Sequence, residues 1–135
     1  MRAYLAIKYH EDQQNRDTIE YLSDLLATHG IETACIARDV EQWGEIKFTP
    51  QRLMKISFDE IDTCDLIIVE LSEKGVGVGI EAGYAYARQI PIITLARQGS
   101  DISATLHGIS STIYAYPSYD ALDRWLSDCP LITEP

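Results

Sequence analysis

DLIIVELSEKGVGVGIEAGYAYARQIPIIT, residues 65–94, is the stretch that decides the fold. Leu66 to Leu71 is an apolar run of strand length, broken only by Glu70 near its end. Gly75, Gly77 and Gly79 then carry the backbone round a tight corner without side-chain clash. The spacing predicts a helix that opens near Gly79 and closes before Pro91, which cannot continue it. Ile92 to Leu95 reads as the next strand. This is a βαβ unit, so its two strands run parallel through a right-handed crossover. Glu81 falls in the first turn of the helix, just past the carboxyl end of the first strand. In open α/β sheets that edge is where ligands bind.

Outward from this unit the same alternation continues. Upstream, Ala3 to Ile7 is an apolar strand, and Tyr9 to Asn15 a polar turn in which Asp12 or Asn15 can cap the next helix. Ile19, Leu22, Leu25 and Leu26 are spaced three and four apart, which gives that helix one buried face. Gly30, after His29, is placed to end it in the left-handed conformation. Ile31 to Ile36 is a second strand. Arg38 to Lys47 is a polar connection without a clear period. Thr49-Pro50 reads as N-cap and first helical position, opening a helix with Leu53, Ile56 and Ile61 that runs to about Thr63. Downstream, Arg97 to Asp101 is a loop and Ile102 to His107 a short helix stopped by Gly108. Thr112 to Ala115 is a last strand, and Tyr119 to Leu126 a last helix with Leu122, Trp125 and Leu126 inward. Strands alternate with helices throughout. The reading is an α/β, flavodoxin-like, doubly wound and mostly parallel sheet of about five strands with helices on both faces.

The 135 residues are the size of one domain with a substantial core. A net charge of −10 with no basic stripe excludes duplex nucleic acid and anionic membranes as natural partners. A small anion remains compatible where local cations and backbone amides hold it. No signal peptide or spanning segment is read, since the apolar runs are strand-length. Cys35, Cys64 and Cys129 are odd in number and far apart, which reads as reduced, buried thiols in the cytoplasm. No zinc-ligand spacing occurs among the cysteines and histidines.

The central helix carries Ile80, Ala82, Tyr84, Ala85, Tyr86 and Ala87, with almost no polar face before Arg88. A helix apolar all round is buried on more than one side. The second side is either a covering loop or a second subunit, and self-association is the expectation.

Two chemistries fit the glycine turn. Gly77-Val78-Gly79-Ile80-Glu81-Ala82 formally matches the dinucleotide fingerprint G-x-G-x-x-A, with Asp101 further on. Against it, Glu81 puts a negative charge where a pyrophosphate would sit. Alternatively Glu81 is the working group. Helix N-terminal amides stabilise a first-turn carboxylate as an anion, able to attack an electrophilic carbon or to stabilise a cation. Glycosidic chemistry uses such a carboxylate. First-turn acids also serve helix stability alone.

The run CDLIIVELSEKGVGVGIEAGYAYARQIPIITLAR, residues 64–97, resembles the nucleoside 2-deoxyribosyltransferase superfamily, and within it the 2′-deoxynucleoside 5′-phosphate N-hydrolases. Asp65 opens the strand, Glu70 ends it, and G-V-G-x-E-x-G-x-A spans Gly77 to Ala85. ISATLHG at residues 102–108 is similar to the family's short helix before the last strand. The first strand and DQQNRDTIEYLSDLL fit its opening more loosely. The resemblance implies cleavage of the N-glycosidic bond of a nucleoside or nucleotide, with release of the free base and no metal or organic cofactor. It makes Glu81 the nucleophile at C1′. Ser103 would reach the substrate's 5′ phosphate from the neighbouring subunit of a homodimer. Gly77 and Gly79 would contribute loop amides, and Tyr9 would lie where the family holds sugar and base.

Three positions depart from the family. Ile7-Lys8 stands in place of a Gly-Ser pair of the phosphate site, so Lys8 or His10 would supply positive charge there. Ser57 stands in place of an aspartate used in proton transfer. Asp59 is the candidate acid in its stead, with Asp62 nearby, although Ser57 to Glu60 also fits a capping box. Gly75 replaces a serine. These departures keep a second reading open: a non-catalytic nucleotide-binding or regulatory module on the same fold. A carboxylate from the Asp59–Asp62 segment close to Glu81 would favour the enzyme. Among other residues, Trp43 and Phe48 read as loop anchors or a lid. His29 reads as a helix-end residue, Arg97 as a phosphate or ion-pair partner, and Glu70 as a buried group that orients the turn.

Overall fold

β3 (Leu66–Glu70) is buried along its whole length and lies at the centre of a five-stranded sheet of order β2-β1-β3-β4-β5. A computed structural model covers all residues, Met1–Pro135. Every strand pairing is parallel: β1 (Arg2–Ile7) with β2 (Glu32–Ala34) and β3, β3 with β4 (Ile92–Arg97), and β4 with β5 (Thr112–Tyr116). Tyr4 sits opposite Ile67, and Ile67 opposite Ile92. Alternate residues of each strand point to opposite faces. One face packs Leu5, Ile68 and Leu95 against α1 (Arg16–Thr28) and α6 (Tyr119–Asp128) through Ile19, Leu22, Leu122 and Leu126. The other packs Tyr4, Ile67 and Val69 against α3 (Pro50–Asp62), α4 (Val76–Ala87) and α5 (Ala104–Ile109) through Ile61, Val78, Ala82, Ala85 and Leu106. Helices on both faces of a parallel sheet are the doubly wound arrangement expected from the alternation.

Several local expectations are met. Gly30 follows α1 at φ +76°. Thr49 caps α3, its hydroxyl accepting from the Arg52 amide at 3.3 Å, with Pro50 in the first turn. Other boundaries differ. β2 is three residues long, and the chain leaves the sheet at Cys35 into a short α2 (Ile36–Asp39). Arg38 drives this: its guanidinium donates to the Thr33 carbonyl at 2.7 Å and to the Ser23 hydroxyl at 2.7 Å. The Asp39 carboxylate accepts from the Cys35 amide at 2.9 Å. Asn15 stands at the N-cap of α1 without capping it, because its amide group accepts from the His10 amide at 3.2 Å and donates to the Lys8 carbonyl at 2.5 Å. Ser57 is mid-helix rather than a cap; its hydroxyl donates to the Leu53 carbonyl at 2.9 Å. A one-turn α7 (Pro130–Thr133) follows α6. The three cysteines are buried and free.

The difference that matters most for function is at α4. The helix opens at Val76, after an extended Gly75, and not near Gly79. The Gly79 amide already donates to the Gly75 carbonyl at 3.2 Å. Glu81 is therefore in the second turn, and the first turn holds no acidic residue. The helix is also not enclosed on all sides within the chain. Val78, Ala82 and Ala85 face inward, while Val76, Ile80 and Tyr86 are exposed.

Candidate active site

Glu81 is positioned by two chain segments remote in sequence. α4 carries it along the face of β1, and its half-buried carboxyl meets the hydroxyl of Tyr4, a side chain 1% exposed. The first-turn glycines leave the carboxyl uncovered: a Cβ built at Gly77 would lie 3.8 Å from Glu81 Oε1, and one at Gly79 would touch nothing. Ser57, on α3, is the other hydroxyl at the Tyr4 phenol and is itself buried. Tyr4, Ser57 and Glu81 thus converge from β1, α3 and α4.

The electrostatics differ from the expectation of a carboxylate held ionised by helix amides. Loss of solvent pushes the Glu81 carboxyl up from 4.5 to about 7, and the neighbouring Tyr4 hydroxyl only partly opposes this. The physical reason is that Glu81 stands in the second turn and its carboxyl takes no hydrogen bond from a backbone amide, so burial dominates. The Tyr4 phenol is pushed up as well, first by burial and then by the Glu81 charge. A half-buried carboxyl poised near neutrality is the kind of group found at active sites.

The other expected residues fall in several places. Asp59, the candidate acid, accepts from Lys55 at 3.0 Å in an exposed pair one turn apart. Asp62 accepts from the Tyr84 hydroxyl at 2.8 Å and from Arg88 at 2.9 Å. Neither is brought to Glu81. Tyr9 packs on the opposite face of the sheet from Tyr4, its ring 5.9 Å from that of Trp43, and its buried hydroxyl has no partner. Trp43 itself lies under Arg16, whose guanidinium is 4.6 Å from the ring centre, so it anchors the connection. Ser103 is the N-cap of α5, and its hydroxyl accepts from Thr105 at 3.3 Å. Lys8 is exposed, with its stem 3.6 Å from where a Gly75 Cβ would stand.

Around this site the carboxyl ends of the strands are tied together. Buried Glu70 accepts from the Ser72 amide at 2.6 Å and from the Tyr116 hydroxyl, which fixes the turn after β3 to β5. His10 meets Glu73 at 2.5 Å and Lys74 meets Asp101 at 2.6 Å, pinning that turn to its neighbours. His29 pairs with Asp123 of α6 at 2.7 Å. No group of three or more His, Cys, Asp or Glu side chains is arranged to hold a metal ion, and no helix is long and apolar enough to cross a membrane. Tyr4 is the site residue that sequence reasoning missed. Its signal was a hydroxyl-bearing ring in the middle of an otherwise apolar strand, a side chain that needs a polar partner once buried.

Comparison with known proteins bears on the family and the fold. The nucleoside 2-deoxyribosyltransferase family profile matches residues 3–114. A Thermofilum pendens protein named "Putative 2'-deoxynucleoside 5'-phosphate N-hydrolase 1" is 27% identical over 128 residues, covering 92% of this chain and 89% of that protein. Among solved structures, the CMP N-glycosidase of Clostridium botulinum superposes with a TM-score of 0.70 at 24% identity, covering 96% of this chain and 100% of its own. A 2-deoxyribosyltransferase of Bacillus psychrosaccharolyticus does so with a TM-score of 0.73 at 15% identity, covering 91% and 90%. At those identities the superpositions speak for the fold; the profile, which spans most of the chain, speaks for descent. The chain belongs to the nucleoside 2-deoxyribosyltransferase family of enzymes.

Proposed function

We propose that this protein is an N-glycosidase that cleaves the glycosidic bond of a nucleotide or nucleoside and releases the free base, with Glu81 as nucleophile. The observation that carries the reading is the Glu81 carboxyl, uncovered on the glycine side and held by Tyr4 on the other. In its ionised form it attacks C1′. The C1′–N bond breaks, its electron pair leaves with the base, and the base takes a proton from water. A second water then hydrolyses the glycosyl ester and frees the carboxylate. With a value near 7 the carboxyl is about half ionised at neutral pH. The Tyr4 hydroxyl, donating to the carboxylate, favours the reactive form. Lys8 and the amides around Gly77 and Gly79 hold the substrate's 5′ end.

The reading extends to a homodimer. Val76, Ile80 and Tyr86 are exposed apolar side chains of α4, and a second copy packed there would bring its Ser103 towards the 5′ end of the substrate. Light scattering on the purified protein and on Ile80→Glu tests this; a monomeric wild type refutes it.

The test of the chemistry is incubation with a panel of ribo- and deoxyribonucleotides and nucleosides, with chromatographic detection of free base. Release by the wild type and none by a folded Glu81→Gln variant is the expected result. Undiminished release by that variant overturns the assignment. A second reading, a nucleotide-binding module without catalysis, is favoured by one observation: with Ser57 at the family's aspartate position and Asp59 and Asp62 engaged elsewhere, no second carboxylate meets Glu81. Nucleotide binding without release of base from any substrate would support it.

A further inference from the structure

α4 is weakly specified by its own sequence, with glycine at 77, 79 and 83 and no side-chain cap at its start. Yet it carries Glu81, and something outside the helix has to hold that residue in place. Glu81, Tyr84 and Arg88 follow one another at helical spacing, so they share one face of α4. That face meets α3, where Phe58 and Asp62 stand one turn apart. The Phe58 and Tyr84 rings stack, with centres 4.2 Å apart and planes 19° from parallel. One Asp62 oxygen accepts from the Tyr84 hydroxyl at 2.8 Å, and the other from the Arg88 guanidinium at 2.9 Å. Asp62 is the one residue of α3 whose side chain hydrogen-bonds to α4 or to its C-terminal cap, Arg88. An exposed ion pair adds little to stability, and Val78, Ala82 and Ala85 already bury the helix against the sheet. What the Asp62 contacts add is placement. They tie the last turn of α4 to the end of α3, one turn beyond the point where Ser57 of α3, Tyr4 of β1 and Glu81 meet.

We propose that Asp62 is a positioning residue: through Tyr84 and Arg88 it fixes the rotation and depth of α4, and with them the place of the Glu81 carboxyl beside Tyr4 and Ser57. Asp62 acts through the helix and takes no part in bond breaking. The consequence for catalysis rests on Glu81 as nucleophile; the consequence for the carboxyl's surroundings does not.

The experiment follows the Glu81 carboxyl itself, by carbon-13 NMR titration of the whole protein, together with kcat and KM for base release. Tyr84→Phe is the decisive variant, because it keeps the ring on Phe58 and every charge and loses only the bond to Asp62. With α4 loosened, water reaches the carboxyl. Its half-ionisation point should fall from about 7 towards 4.5, by on the order of one pH unit. Asp62→Ala should shift it at least as far. Asp62→Asn keeps an acceptor for the Tyr84 hydroxyl and should lie closer to wild type. Lys55→Ala breaks the exposed Lys55–Asp59 pair of the same helix, 3.0 Å long, and should titrate and turn over as wild type does. In Tyr84→Phe and Asp62→Ala, kcat should fall about tenfold or more with KM changed less, the pattern of a displaced reacting group. Circular dichroism checks that each variant is folded. The proposal is overturned if Tyr84→Phe titrates as wild type does, if Asp62→Asn is displaced as far as Asp62→Ala, or if Lys55→Ala moves the carboxyl equally. Shifted titrations with base release undiminished in Glu81→Gln would uphold the positioning and overturn the nucleophile. Unshifted titrations with release lost in Glu81→Gln would do the reverse.

Discussion

Replacing Glu81 with glutamine should make the protein more stable, and only above a certain pH. The carboxyl is pushed from 4.5 to about 7 in the fold, so between those values the folded chain holds a proton that the unfolded chain has released. Stability therefore falls as pH rises through that window. Below 4.5 both states are protonated and Glu81 contributes no difference. Above 7 the fold carries an ionised carboxylate withdrawn from solvent, at a cost on the order of 3 kcal/mol. Glu81→Gln removes the charge and keeps the shape and the contact with Tyr4. Urea unfolding of both proteins at a series of pH values isolates the effect, because every other titrating group is common to the two. The curves should coincide near pH 4 and separate progressively to pH 8, with the variant above. Equal stabilities at pH 8, or a constant offset at all pH values, would refute the reasoning. Base release measured on the same samples should be lost in the more stable protein, a trade expected where function requires a destabilised group.

Other perturbations test the neighbours. Tyr4→Phe deletes the neighbouring hydroxyl that lowers the Glu81 value, so the half-ionisation point should rise by on the order of one pH unit, read by carbon-13 NMR of the labelled carboxyl. Gly77→Ala adds a methyl at ordinary contact distance, 3.8 Å from Glu81 Oε1. Thermal unfolding should show it neutral or stabilised by up to about 1 kcal/mol, while base release falls about tenfold or more because the approach to the carboxyl is narrowed. Tyr116→Phe leaves a buried Glu70 oxygen without its donor and should cost about 1–3 kcal/mol in urea unfolding.

The order of elements was legible because it depends on short-range signals that agree with one another. The apolar run at Leu66, the glycines after it and Pro91 each point to the same βαβ unit. Thr49-Pro50 and Gly30 mark helix ends by backbone chemistry that needs no tertiary partner. What was not legible depends on contacts between distant segments or on competition between local bonds. α2 is a single turn, too short for a period, and it forms because Arg38 folds back on Thr33 and Ser23. The start of α4 was misplaced because glycines read as loop, whereas here the chain is already helical at Gly77. That shift of three residues carries the site with it: Glu81 was picked out from its neighbours in sequence, but its protonation is set by the enclosure of the second turn. Tyr4 belongs to a strand far from α4 in sequence, and only the sheet brings its hydroxyl to Glu81. Asp59 and Asp62 illustrate the converse, since proximity in sequence to Ser57 places them on other faces of α3, against Lys55, Tyr84 and Arg88.

The opening of α4 has a consequence for motion. Gly77, Gly79 and Gly83 lie within its twelve residues, and no side chain caps its N-terminus. Each glycine lowers local helical preference by roughly 1 kcal/mol relative to alanine, and in the first two turns Val78 and Ala82 are the buried side chains. The amides of its first two turns should therefore exchange with deuterium through local openings, far ahead of those in β3, which is buried from end to end and exchanges by the rarest, most global fluctuations. The Glu81 carboxyl thus rides on a glycine-rich stretch of helix expected to open early, packed beside a strand that is buried throughout.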